Sequence, residues 1–307
     1  MGRARGSLGF VGVTASASSI NKVFPVWARY LGLEDAKLVP FDLPLDTQPT
    51  TYRRTVARIR DEQELRGALV TSHKVKVLAA ARDLFDGLDP FAERIGEVSC
   101  ISKRDGQLLG YAKDPITAGR ALEAFVPAGH FAGEAEVLCF GAGGSGLAIA
   151  LRLGQLEDDD RPALITLVDR DRERLEDCRT ILDHPGGAPI EFVVADDAHT
   201  NDRLLSKRPP GSLVVNATGL GKDQPGSPIG AAASFPPRAL VWELNYRGEL
   251  AFLRHAQRQA EVSKLTVEDG WTYFVHGWSE VIAEVYDLEL AADDITRLSD
   301  LAAGERT

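Results

Sequence analysis

Two stretches of this sequence combine residue types and spacing that could do chemistry. Gly141-Ala142-Gly143-Gly144-Ser145-Gly146 satisfies G-x-G-x-x-G, between an apolar run that ends at Phe140 and an apolar stretch from Leu147 to Leu153. Glycines there permit a tight turn and close backbone approach, and a helix beginning at that point offers free N–H groups and partial positive charge to a pyrophosphate. The next apolar run leads to Asp169, 23 residues past Gly146, where a carboxylate can accept hydrogen bonds from adenosine ribose hydroxyls. That favours NAD over NADP, because a 2′-phosphate would face a negative charge, although Arg170 next door could pair with such a phosphate or stack on the adenine. The competing reading is a glycine-rich turn that binds nothing. Further along, Asn216-Ala217-Thr218-Gly219-Leu220-Gly221 follows another apolar run. Asn216, Thr218 and Gly219 could let the chain pass close to a nicotinamide ribose, or form an ordinary glycine turn.

The second stretch is Ser72-His73-Lys74, where a strand at Gly67 to Thr71 gives way to a helix. Ser72 is placed to cap that helix. A lysine in the first turn opposes the helix dipole, and a broken local rule at a strand's carboxyl end points to function, while a tolerant surface lysine is the plain alternative. Asp114 precedes Pro115 and an apolar helix, a standard start signal, so it reads as a cap as well as a candidate acid. His73 is assigned no role by its neighbours.

These residues need elements to hold them. Residues 8–115 alternate short apolar runs with amphipathic stretches, as strands and helices do in turn. Gly9–Val13, Lys37–Phe41 and Gly67–Thr71 read as strands, and helices are expected around Val23–Leu31, Val56–Ile59 and Val77–Leu84. Glu97–Ser102 and Gln107–Tyr111 flank Asp105-Gly106, a dipeptide suited to a type I′ hairpin turn. From Glu136 the strands become nearly continuous apolar runs, at Val137–Phe140, Leu164–Val168, Ile190–Val194, Leu213–Asn216 and Leu240–Leu244, of the kind buried on both faces of a parallel sheet. Arg172–Leu182 supplies a helix between two of them, and the whole argues for a doubly wound α/β domain.

Composition excludes several classes. The 307 residues carry 35 Lys and Arg against 45 Asp and Glu, a formal net charge of −10, so no global positive field exists to attract nucleic acid or an anionic membrane. With 44% hydrophobic and 26% charged residues the chain can bury a core, and its length suits two domains or one large one. Arg3 and Arg5 precede an apolar stretch, Leu8–Val13, that is too short and broken for a signal peptide, and no apolar run approaches the about 20 residues of a membrane helix. Cys100, Cys139 and Cys178 give neither a disulfide framework nor zinc spacing, and none of the histidines falls in a metal-ligand spacing, so no metal is expected and a reducing cytoplasm is the expected location. Glu157-Asp158-Asp159-Asp160 reads as a solvated loop.

Taken in order, the motifs resemble those of shikimate and quinate dehydrogenases over nearly the whole length. They are Ser16 and Ser18 as a Ser-x-Ser after the first strand; Lys74 closing a P-x-K-like turn; Ile95-Gly96-Glu97-Val98-Ser99-Cys100 for I-G-A-V-N-T; residues 105–114, DGQLLGYAKD, for D-G-x-L-x-G-x-N-T-D; the GAGG loop; Asn216-Ala217-Thr218; and Asp269-Gly270 before the last helices. The resemblance implies an N-terminal α/β substrate domain, a doubly wound Rossmann-type dinucleotide domain and a C-terminal helix returning to the first. It sets the substrate domain at 1–115 with 270–307 packed back on it, and the NAD(P) domain at 116–269. Lys74 and Asp114 match the family's acid–base pair, and Ser16, Ser18 and Tyr246 match residues that hold a substrate carboxylate. Thr71, Ser99 and His276 stand at further substrate positions and Gly270 at a cofactor position. A homodimer is open. The chain departs from the family at Ala112 and Lys113 for Asn-Thr, at Ser99-Cys100 for Asn-Thr, in Ala68–Thr71, where one residue is missing, at Ser72 or His73 for the proline, and at His276 for glutamine. Contacts on the carboxylate side survive while those on the hydroxyl side change, so the implied substrate is a different carboxylated or polyhydroxylated ring. The alternatives are a true shikimate or quinate dehydrogenase, a folate-type dehydrogenase, and a dinucleotide-binding sensor that does not catalyse.

Overall fold

Leu8, Phe10 and Val11 drive a short apolar run into strand β1 (Ser7–Gly12), buried along nearly all its length. Helix α1 (Ile20–Tyr30) then buries Ile20, Val23, Phe24, Trp27 and Ala28, which share one face at helical spacing. Strand β2 (Leu38–Asp42), helix α2 (Pro49–Asp61), β3 (Leu65–Val70) and α3 (Lys74–Ala81) follow, then the short β4 (Gly87–Leu88) and α4 (Pro90–Ile95). Strands β5 (Cys100–Arg104) and β6 (Gln107–Tyr111) form the expected hairpin. Asp105 and Gly106 have φ of +52° and +79°, both left-handed, as a type I′ turn requires. The sheet order is β2-β1-β3-β5-β6-β4, parallel except that β5 runs against both its neighbours. The computed structural model describes residues 6–183, 186–222 and 224–305, so Arg3 and Arg5 lie outside the described residues.

The chain leaves this unit after Lys113, and a second compact unit runs from Asp114 to Phe274. It holds α5 (Asp114–Glu123), β7 (Val137–Phe140), α6 (Gly144–Gly154), β8 (Ile165–Asp169), α7 (Arg172–Leu182), β9 (Ile190–Val194), α8 (Ala198–Ser206), β10 (Leu213–Asn216), β11 (Leu240–Glu243), α9 (Ala251–Ser263) and β12 (Thr266–Glu268). Its strands are all parallel in the order β12-β11-β10-β7-β8-β9, a doubly wound sheet whose order reverses between β7 and β10. Leu138, Phe140, Val214, Val241, Phe235 and Phe252 pack into one core against its face. The expectation of strands buried on both faces holds for β7, β8, β10 and β11. It fails for β9, whose residues are only half-buried or exposed, because an edge strand lacks a neighbour on one side. The acidic run is also more than solvated: Asp158–Asp160 forms a 3₁₀ turn, and the Asp160 carboxylate accepts from the N–H groups of Gly129 at 2.8 Å and Phe131 at 3.0 Å.

Helix α10 (Trp271–Tyr286) carries the chain back into the first unit at Val275, and α11 (Ala292–Ala302) ends there. Within that unit Trp278 meets Phe10 edge-on at 4.9 Å, and α11 packs on α1, where Trp27 Nε1 donates to Leu298 O at 2.8 Å. The C-terminal helix returns as expected. Lys113, the last residue before the chain leaves, has its ammonium 2.6 Å from Glu284 Oε2 on α10 and 4.7 Å from the Tyr111 ring centroid. The two charged side chains are only 11% and 15% exposed, so neither has bulk water to fall back on. Removing one partner of such a pair costs more than replacing both. Glu284→Gln is therefore expected to lower unfolding free energy by about 3 kcal/mol, and a Lys113→Met/Glu284→Leu double variant by clearly less, in urea titrations at neutral pH.

Candidate active site

The glycine loop lies where the second sheet reverses order, at the carboxyl end of β7. Gly141 has φ +101° and donates its N–H to Val168 O at 2.7 Å; a Cβ there would come 2.7 Å from Ala217 O. A Cβ on Gly146 would come 2.0 Å from Gly141 O, so only glycine lets the first turn of α6 close over the loop. Gly143 caps α6 with extended backbone and no side-chain acceptor for the helix's first amides, and a Cβ there would meet nothing within 4 Å. An open, uncapped helix N-terminus beginning at Gly144 is a cradle that fits a pyrophosphate. Ser145 Oγ accepts from Tyr273 OH at 3.3 Å.

Asp169 ends β8 beside this loop and holds it: Oδ2 accepts from Ala142 N at 2.8 Å and Oδ1 from Asp171 N at 3.0 Å. An ionised carboxylate has about four lone-pair sites, so acceptor capacity remains for ribose hydroxyls. Arg174 reaches within 3.6 Å of Oδ2, while Arg170 is exposed.

On the other side of the reversal Asn216 is fully buried at the end of β10. Its amide donates to Glu243 Oε2 at 2.7 Å, and its oxygen accepts from Thr218 N at 3.1 Å and Thr218 Oγ1 at 2.6 Å. Glu243, also fully buried, receives Asn245 N at 2.9 Å and Asn245 Nδ2 at 2.7 Å on its other oxygen. Asn245 Nδ2 further reaches Thr218 O at 3.2 Å. Asn216 and Thr218 thus shape the loop with their polar atoms, while Gly219 O accepts Gln224 N at 3.1 Å to close the turn. Burial pushes the Glu243 carboxyl up to about 7 against the pull of its three donors, and Asp269 adds to the rise.

Gly270 lies against β11's end, where a Cβ would come 2.0 Å from Leu244 O. Tyr246 belongs to an aromatic cluster, with ring centroids 4.7 Å from Phe274 and 5.8 Å from Trp271. His276 is half-buried on α10 and falls in the first unit, as its C=O accepts Ser279 Oγ at 3.2 Å.

In the first unit Lys74 opens α3, beyond the carboxyl end of β3. Ser72 is not the cap: it is left-handed at φ +52°, and His73 takes the cap position. The physical reason is His73 itself, fully buried with Nε2 2.7 Å from Leu43 O and Nδ1 2.9 Å from Tyr52 OH. A carbonyl only accepts, so Nε2 carries the hydrogen and Nδ1 receives the tyrosine's. Burial lowers the imidazole's pKa and keeps it neutral. This buried ring pins the turn from which Lys74 emerges, and Lys74 O accepts Val98 N at 3.3 Å. Thr71 bonds back to Val11 O through its N–H at 2.9 Å and Oγ1 at 3.3 Å. Ser99 is buried and its Oγ accepts Lys113 N at 2.8 Å, fixing the residue before Asp114, which opens α5 in the second unit. Ser16 and Ser18 lie in and just after the 3₁₀ turn Ala15–Ala17 that follows β1, and Ser16 is bonded to Asp42 through N–H at 2.9 Å and Oγ at 2.5 Å.

Asp42, Glu243 and Asn245 have no counterpart among the residues singled out by sequence. Each lies within two residues of a strand's carboxyl end, the one position signal that could have flagged them. Among the described residues no group of three or more His, Cys, Asp or Glu could hold a metal, and no helix is long and apolar enough to cross a membrane.

No family model matches the chain. A curated relative, the NADP(+) shikimate dehydrogenase of Streptococcus gordonii (strain Challis), is 29% identical over 223 residues, 71% of this chain and 72% of that one. Among solved structures, quinate dehydrogenase from Corynebacterium glutamicum in complex with NAD superposes with a TM-score of 0.74 at 20% identity, covering 98% of this chain and 99% of that one. The ligand-free 5-ketofructose reductase of Gluconobacter sp. strain CHM43 gives 0.70 at 20% identity, covering 97% and 99%. The chain is similar in sequence to shikimate dehydrogenases and shares the fold of solved shikimate and quinate dehydrogenases across nearly its full length.

Glu243 gives the site a pH signature. Its carboxyl holds a proton more tightly folded than unfolded, so the stability it contributes is present below about pH 4.5 and is lost as pH rises through about 7. Over that window the loss is about 3 kcal/mol. Glu243→Gln lacks this titration, so the stability gap between wild type and variant, read from urea midpoints, is expected to be wider at about pH 5 than at about pH 8.

Proposed function

We propose that this chain is an NAD(P)-dependent oxidoreductase acting on CH–OH, interconverting a ring alcohol and ketone of a carboxylated or polyhydroxylated cyclic substrate. The single observation that carries the reading is the Lys74 turn. A buried, neutral His73 and a left-handed Ser72 hold a lysine at the first position of a helix, where the dipole disfavours a cation. The open amides at the start of α6 and the close-packed glycines before it fit a dinucleotide, whose nicotinamide when bound accepts or returns the hydride.

Lys74 and Asp114 are the acid–base pair of this reading. In the oxidising direction the hydroxyl proton passes to Lys74 Nζ as the C–H electron pair leaves with its hydrogen, and in the reducing direction Nζ returns it to the new alkoxide. Asp114 is the carboxylate partner of the lysine in this reading. Of the substrate-position residues, Thr71 and Ser99 direct their hydroxyls at backbone groups of the first unit, so they serve by holding the Lys74 and Asp114 segments. NAD is the favoured cofactor, because Asp169 keeps acceptor capacity where a 2′-phosphate would otherwise lie.

Initial rates from nicotinamide absorbance test this, with NAD and NADP each offered against shikimate, quinate and neutral cyclitols. Lys74→Met is expected to lower kcat by about 100-fold or more while dinucleotide affinity stays within about twofold. Equal loss of dinucleotide binding, or turnover unchanged in the variant, would remove the lysine from the chemistry.

A further inference from the structure

Ser16 stands where the related enzymes are expected to hold a substrate carboxylate, yet its donors are already taken. Its N–H and its hydroxyl both go to the Asp42 carboxylate, at 2.9 and 2.5 Å. The neighbouring amides turn inward as well: Ala17 N donates to Thr14 O at 3.1 Å and Ser18 N to Ala15 O at 3.3 Å. Asn21 Nδ2 lies 2.8 Å from Ala15 O, 3.2 Å from Ser16 O and 2.9 Å from Ser18 O, locking the turn in that shape. Asp42 is exposed, and its carboxyl is held below the usual range by the Ser16 hydroxyl first and the Ser16 and Ala15 backbone next, with no lysine or arginine contributing. At Ser16 the subsite therefore offers an anion with acceptor sites to spare in place of that residue's two donors.

Resting on the dehydrogenase reading above, we propose that Asp42 is a specificity-determining residue that turns this subsite from an acceptor of carboxylates into an acceptor of hydroxyl donors, so that the substrate is an uncharged polyhydroxylated alcohol or ketone. A carboxylated ring would bring a second negative charge to Ser16 beside the Asp42 carboxylate, whereas a hydroxyl group would donate to Asp42 and complete its hydrogen bonding. The rest of the subsite keeps its shape, since the Asn21 amide and the turn's own bonds are independent of what arrives.

The test compares one ring in two charge states. Shikimate and its methyl ester are titrated calorimetrically into the NAD-loaded wild type, Asp42→Asn and Asp42→Ser, with nicotinamide reduction followed in parallel. Wild type is expected to bind the ester about tenfold more tightly than the acid, and both variants to shift that ratio about tenfold towards the acid. A wild type that binds the acid as tightly as the ester or more so, or variants that leave the ratio where it was, overturns the proposal. Oxidation of the acid with that preference would overturn it while leaving the dehydrogenase reading intact. Binding of neither molecule overturns the subsite assignment, and the dehydrogenase reading then stands or falls on the neutral cyclitols offered above.

Discussion

One interaction recurs at the carboxyl ends of the parallel strands: an acid that ends one strand takes the donors of the loop after its neighbour. Asp42 on β2 holds the turn after β1 through Ser16. Asp169 on β8 holds the loop after β7 through Ala142 N. Glu243 on β11 holds the loop after β10 through the Asn216 side chain, with which it is paired in register. The constraint behind the pattern is general. Loops leaving a parallel sheet carry amides that the ladder no longer satisfies, and the acceptor oxygens of an acid one strand away satisfy them. Loops at the carboxyl ends of the strands in both units are shaped in this way.

The consequence is clearest around Glu243. Its bond to Asn216 places the Asn216 oxygen to receive Thr218, and that fixes Ala217, whose N–H donates to Phe140 O at 2.7 Å and whose carbonyl lies against Gly141. The turn of the glycine loop and the loop after β10 are therefore one packed object, with a buried acid at its base. In the first unit a neutral histidine does the equivalent work. His73 satisfies Leu43 O and Tyr52 OH, and the strained Ser72 beside it is the price of that placement.

Much of this was legible in the sequence because periodicity and turn chemistry report burial. The apolar runs of β7, β8, β10 and β11, the Asp105-Gly106 turn and the glycine loop declare themselves through residue types that have few other uses. Edge position is different in kind: Ile190–Val194 has the composition of a core strand, and only the strand order makes β9 an edge. Ser72 fails as a cap for a related reason. Cap preference is a local rule, and it yields to the burial of His73, whose partners Leu43 and Tyr52 are distant in sequence.

The same distinction separates the candidate-site residues that sequence locates from the roles it implies. Ser16, Thr71, Ser99, Asn216 and Asp169 are singled out by motif, and each already spends polar atoms on the protein itself. A motif records which atoms a position can offer, and the remaining partners decide which are still on offer. Asp169 keeps spare acceptors, so being occupied by Ala142 leaves it able to receive a hydroxyl. Ser16 has a single hydroxyl hydrogen and a single amide hydrogen, both spent, so occupation by Asp42 changes what it can bind. Capacity counted in lone pairs and hydrogens, atom by atom, thus separates a motif residue with atoms still to offer, such as Asp169, from one whose donors are spent on a neighbour that no motif contains, such as Ser16.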